Sequence, residues 1–393
     1  MTTLLTHADE DEELFEGGPP RRLETLLGLA RKNRPNVLRF EIFVVCVGWL
    51  PLLLLVTGQT LTAHDGSLVS FISDYGIQVR SLIAAPLLVL AEAISVPRLS
   101  RIAGQFVTNG LITTADEGAF KRIVLSTRQL RDSLSIEIAI VLISLALGAV
   151  LVFFVPLKMM PGWSNQLSPY DARLSPAGWW NDLVTAPILL LLVFGWIWRL
   201  GLWARFLLLV SRLNLRLVAT HPDHVGGLGF LEISVQVFSL LGFCFATILA
   251  GFMANQVMHE SATIANFRYA IGGFAIVMVV VVAGPLLAFT DRIVAAWREG
   301  VFVYGALAHA MGARMEQKWL SRPLRDDALE ANDFSATTDL FSVVANVYAT
   351  KVLPLSLVRL GVFVMATLLP FLPVVLISIP LSFIMKKVVG VLL

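Results

Sequence analysis

The sequence predicts an all-α fold: a polytopic transmembrane helix bundle of six or seven spans with amphipathic cytoplasmic helices. Three observations predict it: seven long apolar runs, a composition 56% hydrophobic and only 15% charged, and basic residues gathered on alternate connections. The runs cover residues 38–58, 77–96, 136–155, 183–209, 235–257, 269–290 and 360–385. A helix needs roughly 20 residues, at about 1.5 Å each, to cross about 30 Å of hydrocarbon, and every run is that long. A mean hydropathy of +0.77 is above that of an ordinary soluble domain. The net charge of +2 decides little, because placement of charge matters more than its sum. Cys46 and Cys244 both fall inside apolar runs without a CxxC partner, so they read as small buried hydrophobes and support neither a disulfide framework nor a zinc site.

Residues 1–37 are acidic at first and then basic, with no cleavable leader pattern, so the first run reads as a start-transfer anchor with the N-terminus in the cytoplasm. On that threading the inner segments hold six, six, four and eight Lys or Arg in turn, whereas the outer loops hold Lys158, Arg173 and Arg268. This asymmetry is what the positive-inside rule requires. The outer loop 156–182 adds Trp163, Trp179 and Trp180, rings suited to the headgroup level. Residues 38–290 form the six-span membrane domain, with inner loops 98–134 and 211–232. Within 98–134, Ile123, Leu125, Leu130 and Leu134 recur at helical spacing, which predicts an amphipathic helix. Arg205, Arg212 and Arg216 are spaced to share one helical face and to meet anionic lipid.

Along the fifth span Gly242, Ala246, Ala250 and Ala254 recur every fourth residue, a stripe that lets another backbone come close and predicts an interior position. The sixth run continues through Asp291, Trp297, Phe302, Met311 and Trp319 to Pro323, and a second helix follows over 339–353; residues 291–356 thus form a helical cytoplasmic segment. The last segment, 357–393, contains Pro370, Pro373 and Pro380. It is either one kinked span or a re-entrant hairpin turning at 369–373. The kinked span is preferred, because arms of about 14 and 12 residues are too short to cross twice. No internal repeat is evident by eye.

The sharpest local motif is the inner connection Thr220-His221-Pro222-Asp223-His224-Val225-Gly226-Gly227-Leu228-Gly229-Phe230-Leu231-Glu232. His221, Asp223 and His224 could serve as metal ligands, or the backbone at Gly226, Gly227 and Gly229 could contact an anion. The plainer reading is an interfacial turn, with Pro222 and Asp223 as turn chemistry and glycine allowing close packing. The chain has no Walker lysine, HExxH pair or third ligand at fixed spacing, and no metal, cofactor or catalytic residue is assigned. Charges inside the runs are costly, so Arg80, Glu92, Glu137 and Arg199 are candidate cavity or gate residues. The competing reading for Arg199 is snorkelling among Trp196, Trp198 and Trp203, and Glu137, Arg205 and Glu92 lie near enough to run ends to reach headgroups. His64 with Asp65 and His259 with Glu260 read as loop polarity. The absence of a GxSxG elbow, of paired carboxylates in one span and of a basic patch beyond topology argues against hydrolase chemistry and nucleic-acid binding.

The HPDxxGGLGFL string at 221–231, the stretch around Asp339 and Leu340, and the ending LLPFLPVVLISIPL resemble a family of bacterial multi-pass inner-membrane proteins with no assigned activity. The resemblance runs from Thr220 to the C-terminus, and residues 348–355 depart from it in carrying less charge. It implies a bacterial inner membrane and brings no site residues. Three function classes remain. A channel or transporter for ions or small solutes, preferred here, predicts one aqueous cavity lined by Glu92 and Arg199. A membrane enzyme predicts a closed pocket at His221 with convergent polar groups, and a signalling or assembly protein predicts neither. The partners expected are the lipid bilayer and, as an open option, further copies of the chain.

Overall fold

The computed structural model describes residues 14–15, 17–19, 30–31, 34–35, 37–154, 156, 160–168, 171–259, 262–320 and 333–378. Expectations about residues 1–13, the basic residues between 20 and 29, Lys158, Glu260, Pro323, Pro380, Lys386 and Lys387 lie outside the described residues.

Among the described residues, six helices are long and apolar enough to cross a membrane: Val37–Ala63, Tyr75–Thr108, Glu117–Phe154, Pro176–Val210, Gly229–His259 and Ile264–Trp319. They are called here the first to sixth spans. Burial divides them. Of the most apolar window, 61% is buried in the fifth span and 44% in the second and fourth, but only 22% in the first, third and sixth. The second, fourth and fifth spans therefore form the centre. The other three present Leu54, Leu142, Phe153, Ile276 and Val280 outward, an apolar perimeter that water would not tolerate and lipid does. The fifth span's small residues face inward as their spacing predicts: Gly242 is buried, and Ala246, Ala250 and Ala254 are 7% exposed or less. A Cβ on Gly242 would collide with Thr367 of the last helix pair, so only glycine permits that approach.

That pair, Leu357–Leu368 and Phe371–Ile377, is bent by 49° at the position of Pro370 and does not reverse over the described residues. Proline removes the donor that would have continued the ladder. A bend of this size is common to a broken span and to a re-entrant turn, and the side on which Lys386 and Lys387 emerge lies outside the described residues.

Two segments at the basic end differ from expectation. The second span runs unbroken through Pro97 to Thr108, so the amphipathic helix begins only at Glu117 and ends at Arg131, leading into the third span. Arg205, Arg212 and Arg216 share no helical face. The fourth span ends at Val210, because the chain is drawn aside by Asn214 N–H donating to Asp116 (2.9 Å), Arg216 N–H donating to the Leu111 carbonyl (2.8 Å) and a bridge between Leu215 and Ile112. The sixth span does continue, through a 3₁₀ stretch at Gly284–Phe289, into Thr290–Trp319. The helix packed against it is Asp333–Tyr348, earlier than the 339–353 predicted, with Trp319 and Phe334 in ring contact at 4.9 Å. Trp163 does not face outward as a belt residue would. It is fully buried, donating from Nε1 to Asp74 (2.9 Å) below a short antiparallel hairpin, Asn165–Ser168 with Asp171–Leu174.

The second and fourth spans are built on one plan, with equivalent residues 101 positions apart. Asp74 caps the N-terminus of one by accepting from Ile77 N–H, and Ser175 caps the other by accepting from Gly178 N–H. Each then makes a five-residue π-turn, Arg80–Ala84 and Asn181–Thr185, where Ala85 and Ala186 bond back five residues instead of four. The cause is shared. Pro86 and Pro187 follow at once, lack an N–H and crowd the carbonyl four residues earlier, and the helix admits one extra residue to relieve both. The first span packs along the second as the third packs along the fourth, giving a direct duplication of a two-helix unit. The repeat escaped sequence inspection.

Candidate functional site

Two groups of buried or half-buried ionisable residues lie in the seam between the duplicated spans. Near the end bearing Trp163, Arg80 opens the first π-turn and donates to Oδ1 of Asn181, which opens the second, at 3.0 Å. Equivalent positions of the two units thus touch. Asn181 in turn donates to Asp182 at 2.6 Å. Arg80, Ser81, Ala85, Thr185, Ile188 and Leu189 also line a small cavity with room for about one water. Arg80 Nε and the Ser81 hydroxyl are buried without a partner among the described residues.

Twelve residues further along the second span, about 18 Å by helical rise, Glu92 meets Arg199 in a hydrogen-bonded ion pair. The Arg199 side chain is 4% exposed and Glu92 22%. Arg199 also donates to the Gly17 carbonyl at 3.4 Å and lies over the Trp196 ring at 5.5 Å. It does not snorkel, because a carboxylate from another span reaches it first. Glu137 is likewise buried rather than directed to the headgroups, at 8% exposure. The structure thus joins Glu92 to Arg199 and places Arg80 in the other group. Between the groups Leu88, Leu192 and Trp196 are buried, and Trp196 Nε1 donates to the Leu88 carbonyl at 3.0 Å.

The HPDxxGGLGFL loop lies at the basic end of the bundle. The Asp223 carboxylate accepts from the N–H groups of Val225 (3.0 Å), Gly227 (3.1 Å) and Gly229 (2.8 Å). Two of the three amides considered for an external anion, those of Gly227 and Gly229, are thus taken by the loop's own aspartate. Gly226 and Gly227, at φ +70° and +97°, turn those amides inward, a conformation side-chain-bearing residues rarely adopt. Burial works against the charge of Asp223, but the three backbone donors together with His221 outweigh it and hold its carboxyl below the usual range. His221 Nδ1 stands 2.8 Å from Asp223 Oδ1.

His224 is engaged through its backbone: its carbonyl accepts from Lys351 N–H at 2.7 Å, and its Nδ1 is buried without a partner among the described residues. The Thr220 carbonyl accepts from Asn346 at 3.4 Å, and Ala219 sits against Gly300, where a Cβ would collide. The loop joins the bundle to the projecting helices. Among the described residues no three His, Cys, Asp or Glu side chains converge to hold a metal ion.

Sequence reasoning missed Asn181, Asp182 and the segment around Phe15, whose side chain is 2% exposed. The signals for the first two were the Ala-Pro steps at 85–86 and 186–187 and the Arg-Leu steps at 98–99 and 199–200. Comparison with known protein families, with curated proteins and with solved structures found no match to this chain. What stands on the fold alone is a multi-pass membrane helix bundle.

Proposed function

We propose that the protein moves an ion or a small solute across a bacterial inner membrane, along the seam between its second and fourth spans, with the basic end in the cytoplasm. The observation that carries this reading is the Glu92–Arg199 pair, held between two spans of one duplicated plan. A charge at bilayer depth costs about 2.5–3.5 kcal/mol on insertion scales, so paired charges turned into a bundle interior mark a working position by default. The π-turns add support, since such turns gather at functional sites, and parallel repeats recur in transporters whose halves rock against each other. In this reading the apolar layer of Leu88, Leu192 and Trp196 makes the described state a closed one.

The enzyme reading is given less weight, because the Asp223 carboxylate and three amides around it are spent on the loop itself. Assembly is the second reading. It is favoured by Thr290–Trp319, which leaves Phe302, Val303 and Leu307 exposed for a partner or another copy. Anionic lipid suits Arg212 and Arg216, which are exposed, better than Arg205, which donates to Ser126 at 3.2 Å. The test of transport is flux in liposomes containing the purified protein, read with ion-sensitive dyes and, for neutral solutes, by light scattering. The expected result is flux above protein-free vesicles that changes at least tenfold in Glu92→Gln. Flux equal to protein-free vesicles for both proteins would overturn it.

A further inference from the structure

The described part of the N-terminal segment enters the bundle from the basic end. Phe15 is 2% exposed and meets the rings of Trp203 and Phe206 edge-on at 5.4 and 6.0 Å. Its N–H donates to Ser100 Oγ at 3.1 Å, the Leu14 carbonyl accepts from Arg131 at 3.0 Å, and the Gly17 carbonyl accepts from Arg199. The Pro19 carbonyl lies against Gly195, 2.9 Å from where a Cβ would stand.

These contacts set a direction. Phe15 is level with Trp203 and Pro19 with Gly195, so the segment runs antiparallel to the fourth span. The eight helical residues between those levels rise about 12 Å, which four residues of extended chain can cover. Gly195 is roughly 22 Å in from the helix end at Val210. Non-helical backbone at such depth is tolerated only where protein encloses it or where it lines a cavity.

The enclosure is incomplete in its bonding. Arg199 Nε and Trp203 Nε1, both in the wall of the groove, are buried with no acceptor among the described residues. A groove formed by three spans therefore keeps donors that no described residue of its occupant uses, and its floor is the Glu92–Arg199 pair. We propose that this groove is a peptide-binding site, that Leu14, Phe15 and residues 17–19 are its tethered ligand, and that in this position they plug the basic-end approach to Glu92 and Arg199. The ligand class is a non-helical aromatic-glycine-proline peptide held by its backbone carbonyls. The seating stands alone; its effect on flux rests on the transport reading.

The test uses the full chain with Cys46→Ser, Ser100→Cys and, in a second protein, Phe15→Asp added. Both are labelled in detergent with a charged, water-soluble thiol reagent, Cys244 being buried. The expected result is labelling of Cys at position 100 at least tenfold faster with Phe15→Asp, and a return towards the slow rate when a synthetic peptide of residues 1–19 is added. Equal rates in the two proteins overturn the plug, as does fast labelling that the peptide leaves unchanged. A protein lacking residues 2–19 decides the matter if Phe15→Asp fails to yield monodisperse protein, with the same two outcomes. Faster labelling without any gain in liposome flux upholds the plug and counts against transport, so the two failures are distinguishable.

Discussion

Removing the Asp223 carboxylate is expected to loosen the joint between the bundle and its projecting helices. Asp223→Ala strips the acceptor from three N–H groups, of which Val225 and Gly227 belong to buried residues and Gly229 to a half-buried one. A buried donor left without a partner costs about 1–3 kcal/mol. Two such donors plus a third that water can partly recover give about 3–5 kcal/mol. At about 2 °C per kcal/mol for a large domain, the thermal midpoint in detergent should fall by roughly 6–10 °C. Asp223→Asn keeps the oxygen facing Val225 and Gly227 but turns an NH₂ towards the Gly229 amide, so its loss should be about a third as large.

The pH dependence follows from the same bonds. A carboxyl held below its unfolded value contributes stability that is fully present above about pH 4 and is lost as pH falls through the lowered folded value. Midpoints should therefore be flat from pH 7 to about pH 5 and decline below it, with a shallower decline in Asp223→Asn. Midpoints for Asp223→Ala within 1 °C of the unaltered protein, or an unchanged acid decline in Asp223→Asn, would refute the reasoning.

Other predictions follow from burial and close contact. Glu92→Leu alone should cost about 3–5 kcal/mol by leaving the buried Arg199 charge without its carboxylate, Arg199→Met alone should cost less because Glu92 is half-buried, and the double substitution should recover most of the loss in a thermal cycle. Additive losses would mean that the two charges do not depend on each other. Gly242→Leu should push the last helix pair off the fifth span and lower detergent stability by about 1–3 kcal/mol, and Ala246→Leu should do the same from a site with no exposure. Unchanged stability would show that the stripe is not a contact. Alkaline phosphatase inserted at 64–66 or 162–164 should be active and green fluorescent protein at 109–110 should fluoresce in the cytosol; the reverse pattern would invert the bundle.

What the sequence reveals is what periodicity and length encode. The spans were legible because lipid demands about 20 apolar residues, and the fifth span's place was legible because four small residues recur on one face. The turn chemistry at Pro222 and Asp223 was legible too, but the donor at Gly229, six residues on, was not, since only the folded loop brings it back. Arg199 showed an arginine among tryptophans; that Glu92, 107 positions away, arrives to hold it is a long-range contact with no local signature. The duplication was hidden because two apolar helices share leucine for reasons of solvent alone, leaving only capping residues, Ala-Pro and Arg-Leu steps as its trace. The N-terminal segment carries no period, and the seat of Leu14, Phe15 and Gly17 is made by residues 80 or more positions away. Arg212 and Arg216 failed because helical spacing was counted beyond the helix end at Val210.

The measurement closest to the central claim is ion flux in liposomes for four proteins side by side: unaltered, Phe15→Asp, Glu92→Gln, and the last two combined. If the seam between the duplicated spans is the route and the N-terminal segment its plug, Phe15→Asp should carry several-fold more flux than the unaltered chain, and adding Glu92→Gln should remove at least nine-tenths of that gain. Flux at the level of protein-free vesicles in all four, with each protein folded and inserted, would contradict the account.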